Sequence, residues 1–361
     1  MKKKRTRCKM QGISRRDFIR KSALLGTGLM VGVNTEAEAG HAKMPLQRSR
    51  VVRTYSPYAT DWDYYSEYYF DYVDQDVVNE MVLQGALALT GGDLSQLTEY
   101  YSPGDKWAIK VNHNNYADAS NEIDATAPSI IAVLRLLIEY LEIPESDIYV
   151  YDASRPIPYF RIRNRISYDI NYVESGDELA EADPLAPITF RNISTQYMPL
   201  VVSRAQHVIN LPLFKDHLYC LSTMAFKNHF GTTRPGPQYL HSPIHPNLSD
   251  LNANSHIRLK TRLIVGDALF GVWDGGPYGW PMQWDTFPGG RTPNSIFLSF
   301  DPVAHESVMI DYLIAEQEFH GVPILSHEFL HDAMDYHGLG IHDHRNDNGK
   351  YRYINYIELE V

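Results

Sequence analysis

Cysteine is scarce in this 361-residue chain, with one thiol at Cys8 and one at Cys220. Two thiols build neither a disulfide framework nor an all-thiolate iron–sulfur cluster, which takes four. Long apolar runs are missing too. One mild apolar stretch, Ala23 to Val33, lies near the N-terminus, and nothing later is long enough to span a bilayer, which excludes a multi-pass membrane protein. Positive charge is in deficit: 33 Lys and Arg stand against 44 Asp and Glu, a net charge of −11. That balance argues against a nucleic-acid binder held by phosphate neutralisation. The chain has no P-loop, no Gly-x-Gly-x-x-Gly turn, no Cys-x-x-Cys-His haem site and no Gly-x-Ser-x-Gly elbow. A composition of 44% hydrophobic and 21% charged residues belongs to a folded chain. The length suits one large α/β domain or two modest ones.

The first 39 residues read as an address. Lys2, Lys3, Lys4, Arg5, Arg7 and Lys9 form a basic region, Ala23 to Val33 an apolar one, and Ala37-Glu38-Ala39 a small-residue cleavage site. Ser14-Arg15-Arg16-Asp17-Phe18-Ile19 resembles a twin-arginine signal, which implies export of a folded protein by the twin-arginine translocase to a periplasmic or otherwise extracytoplasmic space. An uncleaved signal would leave a membrane tether. Removing residues 1–39 takes away ten basic and three acidic side chains, so the net charge moves from −11 to −18. Cys8 leaves as well, and Cys220 becomes the lone thiol.

Residues 40–104 hold a polar linker, an acidic segment rich in tyrosine (Tyr64, Tyr65, Tyr68, Tyr69, Tyr72) and a first helix with apolar Val77, Val78, Met81, Val82 and Leu89. The tyrosine segment is expected to be a helix that packs its rings on the core; its alternative is a partner surface. From residue 105 strand and helix signals alternate. Strands are expected at Trp107–Val111, Ile148–Tyr151, Val208–Leu211, Leu263–Val265 (ending at Gly266-Asp267), Ile296–Phe300 and in the tail Tyr351–Leu359. Helices are expected from Pro128 to about Leu141, over Leu221–Phe230, after Asp301-Pro302, and from a Ser326 cap to near Gly338. Such alternation predicts an α/β fold: a largely parallel sheet, helices on both faces, and long loops (232–260 and 271–294) over the carboxyl ends of the strands. Ligands of such sheets sit at those carboxyl ends. Asn112, Asp152, Lys215 with His217, Asp267 and Asp301 all fall at or just after predicted strand ends.

The central block runs Val208-Ile209-Asn210-Leu211-Pro212-Leu213-Phe214-Lys215-Asp216-His217 and then Ser222 to Gly231, with Lys227-Asn228-His229-Phe230-Gly231 at its close. Here the chain resembles the domain of unknown function 362 family, whose pattern is a strand, N-x-P-x-x-K-x-H, and a helix carrying K-N-x-x-G. Lys110-Val111-Asn112, Tyr151-Asp152-Ala153-Ser154, Val265-Gly266-Asp267-Ala268, Gly276-Pro277, Asp301-Pro302-Val303-Ala304 and Gly338-Leu339-Gly340 follow in the family's order. The resemblance covers roughly residues 105–340 of a domain taken as 105–361. It implies a fold, a site and a redox neighbourhood, and no settled reaction. Two departures stand out: the ferredoxin-like cysteine clusters of some members are absent, and His305-Glu306 stands where members often place an acid.

Read from the residues themselves, Lys215, His217 and Lys227 are the candidate catalytic set. Lys110, Asn112, Asp152, Asn228, His229 and Asp267 are candidate ligand-binding residues. Two ammonium groups and two imidazoles suit a small anionic ligand or cofactor, with a histidine beside a lysine placed for proton transfer. The alternatives are a divalent metal held by His217 and His229 with Asp152 or Asp267, and a structural network in which Lys227 and Asn228 satisfy loop carbonyls. A second chemistry is signalled by His327-Glu328-Phe329-Leu330-His331, which matches H-E-x-x-H. His337 falls where a third zinc ligand would stand, a pattern of zinc-dependent hydrolases. Met334 occupies the glycine position of the extended motif, and no methionine follows His337. His342-Asp343-His344 reads as a weak surface metal site. Three functions follow: an enzyme or redox accessory at the lysine–histidine block, a zinc hydrolase at the histidine motif, and a non-catalytic periplasmic binding protein using the tyrosine segment.

Overall fold

Strand β1 (Arg50–Tyr55) opens the described part of the chain. The computed structural model describes residues 49–114, 122–157, 168–276, 279–288 and 290–361. The expected signal peptide, the first part of the linker (40–48) and Pro277 lie outside these residues. Next come α1 (Gln75–Thr90), β2 (Trp107–Lys110), α2 (Ala127–Arg135), β3 (Ile148–Tyr151) and β4 (Asn171–Val173), then a separate hairpin, β5 (Ala182–Ile188) and β6 (Gln196–Pro199). After α3 (Leu200–Arg204) the chain forms β7 (His207–Asn210), β8 (Leu213–Asp216) and β9 (Ser222–Thr223). Helices α4 (Ala225–Asn228), α5 (Ile244–Ala253) and α6 (Ser255–Arg258) follow. Strands β10 (Thr261–Val272) and β11 (Ser295–Ser299), helices α7 (Pro302–His320) and α8 (Glu328–Asp335), and strand β12 (Asn355–Glu360) complete the order.

The main sheet runs β12-β1-β11-β10-β7-β2-β3-β4, with β8 pairing both β10 and β9. Along the principal path every pairing is parallel except the two made by β11. Strands β2, β7, β8 and β11 are buried along their whole length, as a sheet covered on both faces requires. Successive side chains alternate between two cores. Ile109, Ile209 and Leu298 face α1 and α2, whereas Ala108, Val208 and Phe297 face α5, α7 and α8. The register sets the site. Lys110 lies opposite Asn210 on β7 and Tyr151 on β3, so three strand ends deliver Lys110, Asn210 and Asp152 to one place.

Helix boundaries follow their caps. Asp74 accepts from Asp76 N–H and Val77 N–H at the start of α1, Thr126 caps α2, and Asp301 accepts from Val303 N–H and Ala304 N–H ahead of Pro302. The helix from Pro128 reaches Leu141 as expected, but its last turn (Leu136–Tyr140) is a π-turn.

Three expectations are corrected. Strand β10 does not end at Gly266-Asp267; it runs on to Val272, because the chain turns at Leu211-Pro212 after β7 and β8 pairs along the same edge, with Asp267 N–H donating to the Pro212 carbonyl at 2.8 Å. Gly266 is needed inside that strand, since a Cβ there would sit 2.8 Å from both His305 Nε2 and Met309 Sδ of α7. Leu221–Phe230 is not one helix: Ser222-Thr223 pair with β8, and only Ala225–Asn228 are α-helical, followed by a 3₁₀ turn over His229–Thr232. The tyrosine segment is not a helix beyond one turn at Tyr69–Tyr72, because Tyr64 and Tyr68 adopt left-handed backbone with φ of 68° and 61°. Its rings still divide as a core element would. Trp62 and Tyr69 pack edgewise on Phe270, and Tyr65 stays exposed.

No helix among the described residues is long and apolar enough to cross a membrane.

Candidate functional site at the carboxyl ends of the strands

Lys110 is fully buried at the end of β2, and its ammonium spends all three protons. It donates to Asp152 Oδ2 at 2.9 Å, to Asn228 Oδ1 at 3.3 Å and to the Val111 carbonyl. Burial lowers its pKa against the opposing pull of Asp152. Asn228 is equally engaged. Its oxygen accepts from Lys110 and from Asn112 Nδ2 (3.2 Å), and its amide donates to Asn210 Oδ1 (2.7 Å) and the Lys110 carbonyl (3.2 Å). Asn210 passes the chain of bonds on to the Ala225 carbonyl at 2.8 Å. Asp152 also accepts from the Ser154 N–H and hydroxyl. Gly231 closes over the pair: a Cβ there would lie 2.7 Å from Asp152 Oδ1 and 2.9 Å from Lys110 Nζ. The Lys-Asn-x-x-Gly run is thus a lock on the strand ends. One buried atom in it stays open, Asn112 Oδ1, which has no hydrogen-bond partner among the described residues.

A second cluster lies beyond this lock, on β8, α4 and the loop after β2. Lys215, fully buried, donates to the Ile123 carbonyl at 3.3 Å. Burial lowers its pKa to about 8; Asp124 opposes that shift and the Lys227 charge adds to it. Asp124 is buried between Lys215 and His113, whose Nδ1 is 3.7 Å from its carboxylate. Burial would raise Asp124, yet His113, Lys215 and the Asn114 N–H together hold it below the ordinary carboxylate value. Neither ring nitrogen of His113 has a hydrogen-bond partner among the described residues. Lys227 stands half-buried with its ammonium 3.4 Å from His241 Nε2 and 4.6 Å from the centroid of Phe230, and its pKa also falls to about 8 through burial. Among the described residues no carboxylate lies within ion-pair distance of it. Burial raises neighbouring Asp216 to about 6, against the Gly276 N–H that donates to it.

His217 joins this cluster as a donor. The Tyr219 N–H donates to its Nδ1 at 3.1 Å, so the neutral ring carries its proton on Nε2. Burial and the Lys227, His241 and Lys215 charges drop its pKa to about 2, which keeps it neutral. It stacks on His241, with centroids 5.7 Å apart. A general-base role, which needs a free lone pair, is closed to it in this arrangement. Cys220 beside it is buried and pushed up to about 12, so its thiol stays protonated.

Two candidate residues fall outside the cluster. Asp267, mid-strand, accepts from the Thr126 hydroxyl at 2.8 Å, the Thr126 N–H at 3.3 Å and the Leu269 N–H at 3.1 Å, and so anchors the start of α2. His229 is buried beside Lys110, with Nδ1 3.4 Å from the Thr232 hydroxyl, and burial lowers it to about 3. Neither it nor His217 belongs to a three-residue group of potential metal ligands among the described residues. Glu306, next to His305 in α7, accepts from the Ser222 hydroxyl at 2.5 Å and the Phe226 N–H at 3.1 Å, and so holds the start of α4.

The three histidines of the extended H-E-x-x-H pattern do not form one ligand group among the described residues. His327 precedes α8 with non-helical backbone (φ −124°), yet its ring still stacks near that of His331, with centroids 6.4 Å apart. His337 turns away to Asp250, at 2.9 Å. The sequence reading missed His113, Asp124, Asp216 and His241. His113 directly follows Lys110-Val111-Asn112, which was the available signal.

Fold and site define a mostly parallel α/β protein with a buried lysine-rich cluster at its strand ends. Residues 108–311 match the family described as Domain of unknown function (DUF362), and the chain belongs to that family. No curated protein matches it. Among solved structures it is similar to the lactate racemase apoprotein from Thermoanaerobacterium thermosaccharolyticum, at 9% identity and a TM-score of 0.35. That match covers 75% of this chain and 58% of that one.

Proposed function

We propose that this protein binds a small anionic ligand or cofactor, carboxylate- or phosphate-bearing, at the cluster beyond the lock, and acts there as an enzyme. The observation that carries the reading is the pairing of Lys215 with Lys227. Two ammonium groups are brought close enough for the Lys227 charge to depress Lys215, both have pKa values near 8, and Lys227 has no carboxylate partner among the described residues. An anion between them would relieve that repulsion. The Nε2–H of His217, which feels the charges of both lysines, supplies a further donor beside it. A lysine with a pKa near 8 is neutral in about a tenth of molecules at pH 7, so it can take up a proton as well as hold charge. Export of the folded chain by the twin-arginine route belongs to the same proposal. It rests on Arg15-Arg16 and the apolar run behind them, and retention of an Arg15→Lys/Arg16→Lys variant in the cytoplasm tests it.

The test of the site is titration of the full-length protein with inorganic phosphate, alongside native mass spectrometry for a co-purifying anion. Lys227→Gln is expected to weaken phosphate binding at least tenfold, and Lys215→Gln/Lys227→Gln to abolish it. Equal binding by the double variant, with its melting temperature retained, would overturn the assignment.

A further inference from the structure

We infer that His327, His342 and His344 form a binding site for one divalent transition-metal ion, of which Zn²⁺ is the type. The site is separate from the lysine cluster and does not rest on the reading given above. One ligand nitrogen from each residue lies within 4.8 Å of the other two, and His327 Nε2 and His344 Nε2 are 3.2 Å apart. Metal–nitrogen bonds of about 2.0–2.1 Å in tetrahedral geometry set such an edge at roughly 3.3 Å.

The tautomers of His344 and His342 are already set for ligation, and His327 Nε2, whose proton goes to His344 Nε2 without the ion, releases it when the ion binds. Asp311 Oδ1 lies 2.5 Å from His344 Nδ1; a carboxylate only accepts, so Nδ1 carries the proton and Nε2 presents a lone pair. Ser307 gives its single hydroxyl proton to the Val303 carbonyl at 2.8 Å and therefore accepts from His342 Nδ1, at 2.7 Å. His342 Nε2 is thereby left as a bare lone pair, and it has no hydrogen-bond partner among the described residues although the ring is only 8% exposed. A buried, unpartnered acceptor beside two other imidazole nitrogens is the arrangement a metal completes. Asp343 accepts from the Arg352 and Tyr353 N–H groups, so it is committed to the neighbouring loop while His342 and His344 meet His327.

The other two carboxylate–histidine groups differ in this respect. Asp250 and Asp332, beside His337, are already bridged by Arg191. Glu316, beside Asp285 and His320, accepts from the Asp285 and Thr286 N–H groups. Three neutral imidazoles select a borderline divalent ion over Mg²⁺ or Ca²⁺, which want oxygen. A groove of about 400 Å³ lined by Glu328 and His331 adjoins the cluster, for the His331 ring is 4.5 Å from His342. Three protein ligands leave the fourth position of the ion on offer to a small ligand.

Full-length protein stripped by chelator would be titrated with Zn²⁺, with elemental analysis after dialysis and thermal melting at each step. One Zn²⁺ per chain and a raised melting temperature are expected. His342→Ala/His344→Ala should lose both, as should His344→Asn, whose half-exposed position spares the fold. Asp311→Asn, which removes the group that orients His344, should weaken binding 10- to 100-fold. His337→Ala should bind normally. Zn²⁺ held as tightly by the His342/His344 variants as by the unaltered chain, no Zn²⁺ held by the unaltered chain, or loss confined to His337→Ala would each overturn the site.

Discussion

Removing Asp152 tests whether the buried lock is an electrostatic unit. Lys110 is 0% exposed and Asp152 2% exposed, so their 2.9 Å contact is shielded from water. In Asp152→Ala the ammonium keeps only the Val111 carbonyl and Asn228 Oδ1, and its charge has no counter-charge. Breaking a buried pair from one side costs about 3–5 kcal/mol. The lost acceptor for Ser154 adds little, because that residue is half-buried and water can replace the bond. Urea unfolding at pH 7 should therefore show a loss of about 3–5 kcal/mol with an unchanged denaturant slope. The pH dependence gives a second check. Burial already lowers Lys110, and without Asp152 it falls further, so the unfolded chain binds the proton that the folded chain has shed. Stability of the variant must then rise with pH, and its deficit should shrink between pH 7 and pH 9. Adding Lys110→Met removes the stranded charge and should recover most of the loss. A deficit under about 1 kcal/mol at pH 7, or one that Lys110→Met enlarges, would refute the reasoning.

Gly231→Ala should cost about 1–3 kcal/mol in the same assay, because its Cβ would press on Asp152 Oδ1 at 2.7 Å and Lys110 Nζ at 2.9 Å; a neutral outcome would show that the turn can shift freely. Burial raises Glu306 from 4.5 to about 7, so the folded chain binds its proton more tightly than the unfolded one. Its contribution is complete below pH 4.5 and is lost as pH rises through 7. The stability difference between the unaltered chain and Glu306→Gln should fall by about 3 kcal/mol between pH 4.5 and 7.5, and a flat difference in urea unfolding would count against it. Sulfate, whose own charge is constant over the range, should bind the lysine cluster more weakly as pH rises from 7 to 9, by about tenfold for each lysine that must be protonated; calorimetric affinities independent of pH would remove Lys215 and Lys227 from the site.

The parallel α/β frame was legible because its strands are short, apolar and punctuated. Trp107–Lys110, Ile148–Tyr151 and Ser295–Ser299 lie where the pattern places them, and Asp301-Pro302 opens α7 as a cap and first turn should. What escaped was set by partners distant in sequence. Gly266-Asp267 looks like a strand end by composition, yet β10 continues because β8 supplies a second partner on the edge that β7 leaves. Thr126 and Leu269, not a ligand, engage Asp267 as a result. Asp124 reaches His113 because the chain after β2 returns on itself, with the Ala125 N–H donating to the Asn112 carbonyl at 2.8 Å. No periodicity marks such a closure. The left-handed backbone of Tyr64 and Tyr68 is likewise invisible in residue types that normally avoid it.

The residues that made the central block recognisable divide by what their polar atoms have left to give. Lys110 has donated three protons, and Asn228 has used both its oxygen and its amide; neither can hold a ligand without dissolving the lock that aligns β2, β3 and β7. Gly231 enforces the same closure by lacking a side chain. Spare capacity lies one layer out. Lys227 has a single described hydrogen-bond partner at 3.4 Å, and His113 has two ring nitrogens without one. A saturated frame beneath an unsaturated layer is what preorganised binding requires, since the outer groups keep their positions only if the inner ones cannot move. Substitutions in the frame should therefore read out first as stability, and substitutions in the outer layer first as affinity. The two positions of the Lys-Asn run separate on that criterion: Asn228 belongs to the frame, and Lys227, one residue earlier on the same short helix, to the outer layer proposed above as the anion site.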